Sequence, residues 1–156
     1  MPNWLHLFTN LFYHLGLAIW IGGTLVLGAL VAPALFRTLP RLEAGGVFGP
    51  TLRRFARVRV VALLVTLAAA AVKYAVWESG GMLWIGVRWA ALLFMAATLV
   101  YELGWLERTL EARRVHLTPE MAEDDPQRRA FNILHKRAEA LLKASVLAAV
   151  LAMLLS

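Results

Sequence analysis

The chain has 156 residues, no cysteine and a formal charge of +6; 60% of its residues are hydrophobic and 17% charged, against about 25% charged in an ordinary soluble domain. A single soluble domain of this length cannot bury so much apolar surface, whereas a bilayer accepts it. The lack of cysteine excludes disulfides, thiolate metal sites and thiol catalysis.

Crossing the hydrocarbon core takes about 20 mostly apolar residues in a helix. Four stretches qualify, at about 5–36, 58–77, 82–106 and 131–155, and residues 1–156 read as one domain. The first carries no charged side chain apart from His6 and His14, and no Lys or Arg precedes Arg37. A cleavable leader needs a basic start, so this stretch is expected to stay in the mature protein. Pro33 falls in its last turns and predicts a kink near the membrane surface.

The segment from Arg37 to Arg59 holds Arg37, Arg41, Arg53, Arg54, Arg57 and Arg59. The segment from Arg108 to Arg137 holds Arg108, Arg113, Arg114, Arg128, Arg129, Lys136 and Arg137. The N-terminus and the short turn Glu78-Ser79-Gly80-Gly81 contain no basic residue. The positive-inside rule then makes both basic segments cytoplasmic loops and places both termini outside. The basic surplus is a topology signal and an attraction to anionic lipid headgroups, which sets nucleic acid aside as a partner. Asp124-Asp125-Pro126 reads as an N-cap with proline at the first helical position. The fourth helix is therefore expected to start near Pro126, and the third to run on through Glu107 and Glu111 to Arg114. The fold class is all-α: an antiparallel four-helix transmembrane bundle in a cell's inner membrane. Small residues recur within it at Ala18, Gly22, Gly23, Gly28, Ala32 and Ala68 to Ala71. They permit close helix approach and leave room for a homo-oligomer or a membrane-protein partner.

Ionisable side chains inside a bilayer are costly, about 2.5–3.5 kcal/mol each at the span centre, and so mark positions of interest. Counted at about 1.5 Å per residue, His14, Lys73 and Arg88 fall in the outer half, about 6–10 Å from the midplane, with Trp20 deeper. Two readings fit this group. It forms a cationic pocket for an anion, or for a haem with His14 as axial ligand and Lys73 or Arg88 near its propionates. Otherwise Lys73 and Arg88 snorkel to the headgroups and His14 bonds a neighbouring helix. The inner half carries Glu102, His135, Glu139 and Lys143. Glu139 and Lys143 have the spacing of an ordinary helical pair, and Glu102 has several possible partners; a proton or ligand relay is the alternative. His6 and His116 read as interfacial or solvated. His14 and His135 lie in opposite leaflets, so no closed copper or zinc cage is visible, although a shared site with His14 as a copper ligand stays open. Phosphate loops, nucleophile elbows and zinc-protease motifs are missing. Any catalysis would have to come from a bound cofactor, as in a haem-dependent membrane oxidoreductase.

The stretch Tyr13 to Pro40, YHLGLAIWIGGTLVLGALVAPALFRTLP, resembles the first helix of the transmembrane protein 205-like family of four-span proteins, with its His, W-x-G-G and A-P-x-L-F elements. FNILHK at Phe131 to Lys136 is similar to that family's Leu-His element before its last span. His followed by W-x-G-G also resembles copper-resistance D-like proteins and the haem-binding HemJ-type protoporphyrinogen oxidases. The resemblance implies an inner-membrane bundle and marks His14, Trp20, Gly22, Gly23, Pro33 and His135. Around Trp84, Arg88 and Trp89 the basic, aromatic third-helix pattern of the HemJ type is not found. The leading expectation is a non-enzymatic bundle that binds a small ligand, haem first, through His14, Lys73, Arg88 and Trp20. Copper handling, a HemJ-like porphyrinogen oxidase and a scaffold or assembly subunit are the alternatives.

Overall fold

In the computed structural model, the described residues are 3–78, 81–118 and 125–156, and they are helical apart from short connections. Helix α1 spans Asn3–Leu25, followed by a π-helical segment Val26–Val31 and by α2, Ala32–Thr38. Helix α3 is Arg41–Val76 and α4 is Met82–Tyr101; a second π-helical segment, Glu102–Leu106, leads into α5, Glu107–Arg114. Helix α6 is Pro126–Leu154. These elements make four long rods, because α1 runs into α2 and α4 into α5 without a break.

The proline in the first rod acts one turn earlier than expected. Pro33 has no N–H to donate and its ring crowds the preceding turn. The backbone widens ahead of it: the Ala32 N–H reaches back five residues to the Leu27 carbonyl, and α2 then starts with Pro33 in its first turn. The arginine-rich stretch 41–59, expected as a loop, is helix. It forms the first half of α3, whose 36 residues extend about 54 Å at about 1.5 Å per residue. That exceeds a hydrocarbon core of about 30 Å, so the arginine end projects beyond an apolar span. There it is linked to α5, where Arg53 donates to Glu111 at 2.7 Å and lies 3.7 Å from Glu107. A Cβ added at Gly46 or Gly49 would stand 3.2 or 3.3 Å from the Arg114 guanidinium, so these glycines make room for it.

The continuation of the third helix to Arg114 and the start of the fourth at Pro126 follow the sequence expectation. Asp125 is the N-cap, accepting from the Gln127 N–H at 2.7 Å with Pro126 behind it. Asp124, Ser79 and Gly80 lie outside the described residues. Asp125→Ala should lower stability by about 1 kcal/mol, read from the denaturation midpoint in detergent.

Helix α1 packs on α3 and α6, and α4 packs on α6 and α3, so the rods close a ring around one core. Tyr13, Leu17 and Trp20 from α1 meet Leu63 and Ala70 of α3, Leu92, Met95 and Leu99 of α4, and Ala149 and Ala152 of α6. The outward faces are apolar as well: Leu7, Phe8, Leu11, Leu64, Leu93, Val100, Leu147 and Leu154 are all exposed. Three rods are long and apolar enough to cross a membrane: Asn3–Thr38, Glu43–Val76 and Met82–Arg114. An apolar exterior around a core that contains charge is the pattern of a protein whose solvent is lipid.

Candidate functional site

Two buried polar nodes lie along the core, four helical turns apart on α3 and on α4, which is about 20 Å at about 1.5 Å per residue. Each contains an arginine, a glutamate and an aromatic ring from α1.

The outer node joins α1, α3, α4 and the turn after α3. Arg88, 2% exposed, donates through both terminal nitrogens to Glu78, at 2.6 and 2.5 Å. A fork-to-fork pair of this kind fixes the guanidinium plane as well as its charge. Lys73, 7% exposed, sets its ammonium 4.9 Å from the centre of the Tyr13 ring, a cation–π contact. Tyr13 is fully buried and donates its hydroxyl to the Ala152 carbonyl at 2.8 Å, which ties α1 to α6. Lys73 and Arg88 therefore point inward and do not snorkel. Of the expected outer group, the structure brings Lys73 and Arg88 together, adds Tyr13 and Glu78, and leaves His14 at the margin. Glu78 neutralises one of the two cations. Lys73 has no carboxylate within ion-pair distance among the described residues.

His14 is half-buried beside Tyr13, with ring centres 5.4 Å apart. Its Nδ1 lies 2.8 Å from the Asn10 carbonyl, and its Nε2 lies 3.0 Å from the Ser156 hydroxyl. A carbonyl only accepts, so that contact assigns the proton to Nδ1. In the neutral ring Nε2 then carries the lone pair, the tautomer that a metal-binding histidine uses. His6 packs edge-on against Trp77 at 5.1 Å, and the Asn10 amide lies 3.2 Å from its Nδ1. Among the described residues, no three His, Asp or Glu side chains converge as a metal site.

The second node joins all four rods. Arg59, 1% exposed, donates to Glu102 at 2.5 Å. Its guanidinium lies over Trp20 at 5.2 Å and over Phe55 at 5.6 Å. Trp20 donates its indole N–H to the Ser145 hydroxyl at 3.3 Å, and Ser145 donates to the Leu142 carbonyl. A Cβ on Gly23 would stand 2.3 Å from the Phe55 ring, whereas one on Gly22 would meet nothing within 4 Å. In the W-x-G-G element, then, Trp20 supplies the stacking face and Gly23 the space for Phe55. Glu102 opens the π-helical segment of the third rod; such distortions recur at functional positions. Its partner is Arg59 rather than any charge on α6. Arg59 counted in the sequence only as a topology arginine, although Val58, Val60 and Val61 around it set it within an apolar stretch.

The remaining inner residues stay outside both nodes. Glu139 and Lys143 pair across one helical turn at 2.7 Å on the exposed surface of α6. His135 is exposed and stacks on Phe131 at 6.1 Å. His116 is exposed.

An all-helical chain with three membrane-length apolar rods and arginines buried in its core is a membrane-type helical protein. Residues 15–116 match the family described as a domain of unknown function, DUF4149, and the chain belongs to that family. The match covers the second half of α1 and all of α2 through α5, and so includes Trp20, Arg59, Glu102, Lys73 and Arg88 but not Tyr13 or His14. The chain matches no curated protein and no solved structure.

Proposed function

We propose that this protein is a membrane bundle whose four rods all cross the bilayer, and that it binds a small anionic ligand at the outer node. Three rods have the length and hydropathy to cross. Helix α6 has 29 residues, packs with them, and exposes Leu147, Leu151 and Leu154 in the same way. Its charges Glu139 and Lys143 neutralise each other in a short pair, which lowers the cost of placing them near lipid. The basic residues cluster at one end, so that end is assigned to the cytoplasm of an inner membrane and both termini to the outside. The His14, Trp20-x-Gly22-Gly23 and Ala32-Pro33-x-Leu35-Phe36 elements support a likeness to the transmembrane protein 205-like proteins.

One observation carries the ligand reading: Lys73 is a buried cation without an ion-pair partner among the described residues, set beside an arginine whose charge Glu78 has already met. An uncompensated buried charge is expensive unless something answers it. A carboxylate entering from the outer face would do so. Nothing in the node has the geometry of an activated nucleophile, so the proposed role is binding rather than catalysis by the chain's own side chains.

Haem is a second reading, favoured by the His14 tautomer. His14 would hold the iron and Lys73 a propionate, while Arg88 stays with Glu78. Bound haem would supply redox chemistry; the chain's residues would position it. Detergent-purified protein is titrated with hemin and, separately, with metal-free protoporphyrin IX. Hemin should give a shifted Soret band that His14→Ala removes. Lys73→Met should weaken the uptake of both porphyrins by about tenfold, the worth of about 1.4 kcal/mol. Porphyrin uptake that ignores both substitutions would reject the haem form. Protoporphyrin uptake that depends on Lys73 alone would keep only the anion site.

A further inference from the structure

Outside both nodes, a lateral groove runs between α4 and α6, about 690 Å³ in volume. That lies within the range of about 300–1,000 Å³ typical of small-molecule sites. Facing alanines create it. Ala97 on α4 meets Ala140 and Ala144 on α6, where longer side chains would have closed the seam. The ends of the groove differ. Ala97 and Ala144 line its deeper part, whereas Tyr101 and Arg137 stand at the end nearer α5 and the start of α6. Tyr101 is braced by Trp105, with ring centres 5.4 Å apart. Arg137 is exposed and makes no ion pair among the described residues.

A slot with an apolar floor and a free guanidinium at one mouth has the polarity of a phospholipid. We infer that the α4–α6 groove binds one anionic phospholipid, with an acyl chain along Ala97, Ala140 and Ala144 and the headgroup phosphate on Arg137. Arginine suits the task because its planar fork meets phosphate through two hydrogen bonds. Tyr101 stands where a phenol is favoured, its ring toward the acyl region and its hydroxyl toward the headgroups. Basic pockets between transmembrane helices on the cytoplasmic side are suited to anionic headgroups, and the topology proposed above puts Arg137 on that side. The inference rests on that reading only in requiring α4 and α6 to lie in the bilayer. It does not depend on Lys73 or His14.

Native mass spectrometry of the full chain tests it, using delipidated protein in mild detergent with dioleoyl-phosphatidylglycerol or dioleoyl-phosphatidylcholine added. One phosphatidylglycerol should be retained per chain, about fivefold more tightly than phosphatidylcholine, the size of one basic residue's attraction to an anionic surface. Arg137→Gln should abolish the preference and Arg137→Lys should restore most of it. Ala140→Leu with Ala144→Leu fills the slot and should remove both lipids, with helical content by circular dichroism unchanged. Equal retention of the two lipids by the unmodified protein would overturn the inference, as would a preference that survives Arg137→Gln. A lipid-free dimer that the leucine pair disrupts would overturn it too, because the occupant would then be a second copy's helix.

Discussion

Replacing Glu102 by alanine should destabilise the folded protein by about 3 kcal/mol, the lower end of the cost of leaving a buried charge, here Arg59, without its partner. Glu102 accepts from Arg59 at 2.5 Å, and Arg59 is 1% exposed. Truncating the acid leaves a guanidinium in the core with only the Trp20 and Phe55 rings to answer its charge. A cation–π contact is worth about 2 kcal/mol when desolvated, so it recovers part of the loss but not the whole. The Arg59 Nε is already buried without a hydrogen-bond partner among the described residues, so the site has little slack. Removing both charges together, as Arg59→Met with Glu102→Met, should recover most of the stability, because apolar replacements of buried pairs are often neutral or better. Unfolding of detergent-solubilised protein by increasing sodium dodecyl sulfate measures both. A single substitution costing less than the double would contradict the assignment.

The second large effect is steric. Gly16 lies where α1 crosses α3, and a Cβ there would stand 2.1 Å from the Thr66 hydroxyl and 2.6 Å from the Ala62 carbonyl. The hydroxyl is buried and donates to that same carbonyl at 2.8 Å, so turning it away loses the bond; the carbonyl belongs to a helical backbone and cannot move alone. Gly16→Ala should therefore force the helices apart and cost about 1–3 kcal/mol, the usual range for overpacking. Gly22 is the contrast. It lies in the same helix with open space around its Cβ direction, so Gly22→Ala should gain about 0.5–1 kcal/mol from reduced backbone freedom in the unfolded chain. Opposite signs for two alanines six residues apart separate a packing contact from helix propensity. Equal effects would mean that α1 and α3 do not meet as described.

How far the sequence foretold this arrangement depended on whether a signal was local. The cap at Asp125-Pro126 and the continuation of the third rod to Arg114 follow from composition and capping, and the structure has them. The helical character of residues 41–59 was hidden because three glycines and Pro50 made that stretch resemble a loop. Its contacts include α2 and, through Arg53 and Glu111, α5, and the second of these joins residues far apart in the chain. The candidate site divided in the same way. Lys73 and Arg88 were visible as charges within apolar runs. Glu78 was not, since it lies in a turn, where a carboxylate needs no explanation. Arg59 was obscured by neighbouring arginines that are partly or fully exposed, and Tyr13 by its ordinary appearance in an apolar helix. Gly22 and Gly23 looked equivalent in the sequence; only the position of Phe55 on another helix distinguishes them.

The absence of cysteine permits a direct test of the four-crossing topology on which the outer and cytoplasmic assignments rest. Single cysteines are introduced as Met82→Cys, Ser156→Cys, Arg54→Cys and Val115→Cys, all at exposed positions, and intact cells are treated with a membrane-impermeant maleimide. Met82→Cys and Ser156→Cys should react from outside, and Arg54→Cys and Val115→Cys only after permeabilisation. If Ser156→Cys behaved like Val115→Cys, α6 would not cross the membrane, and the four-span account would be wrong.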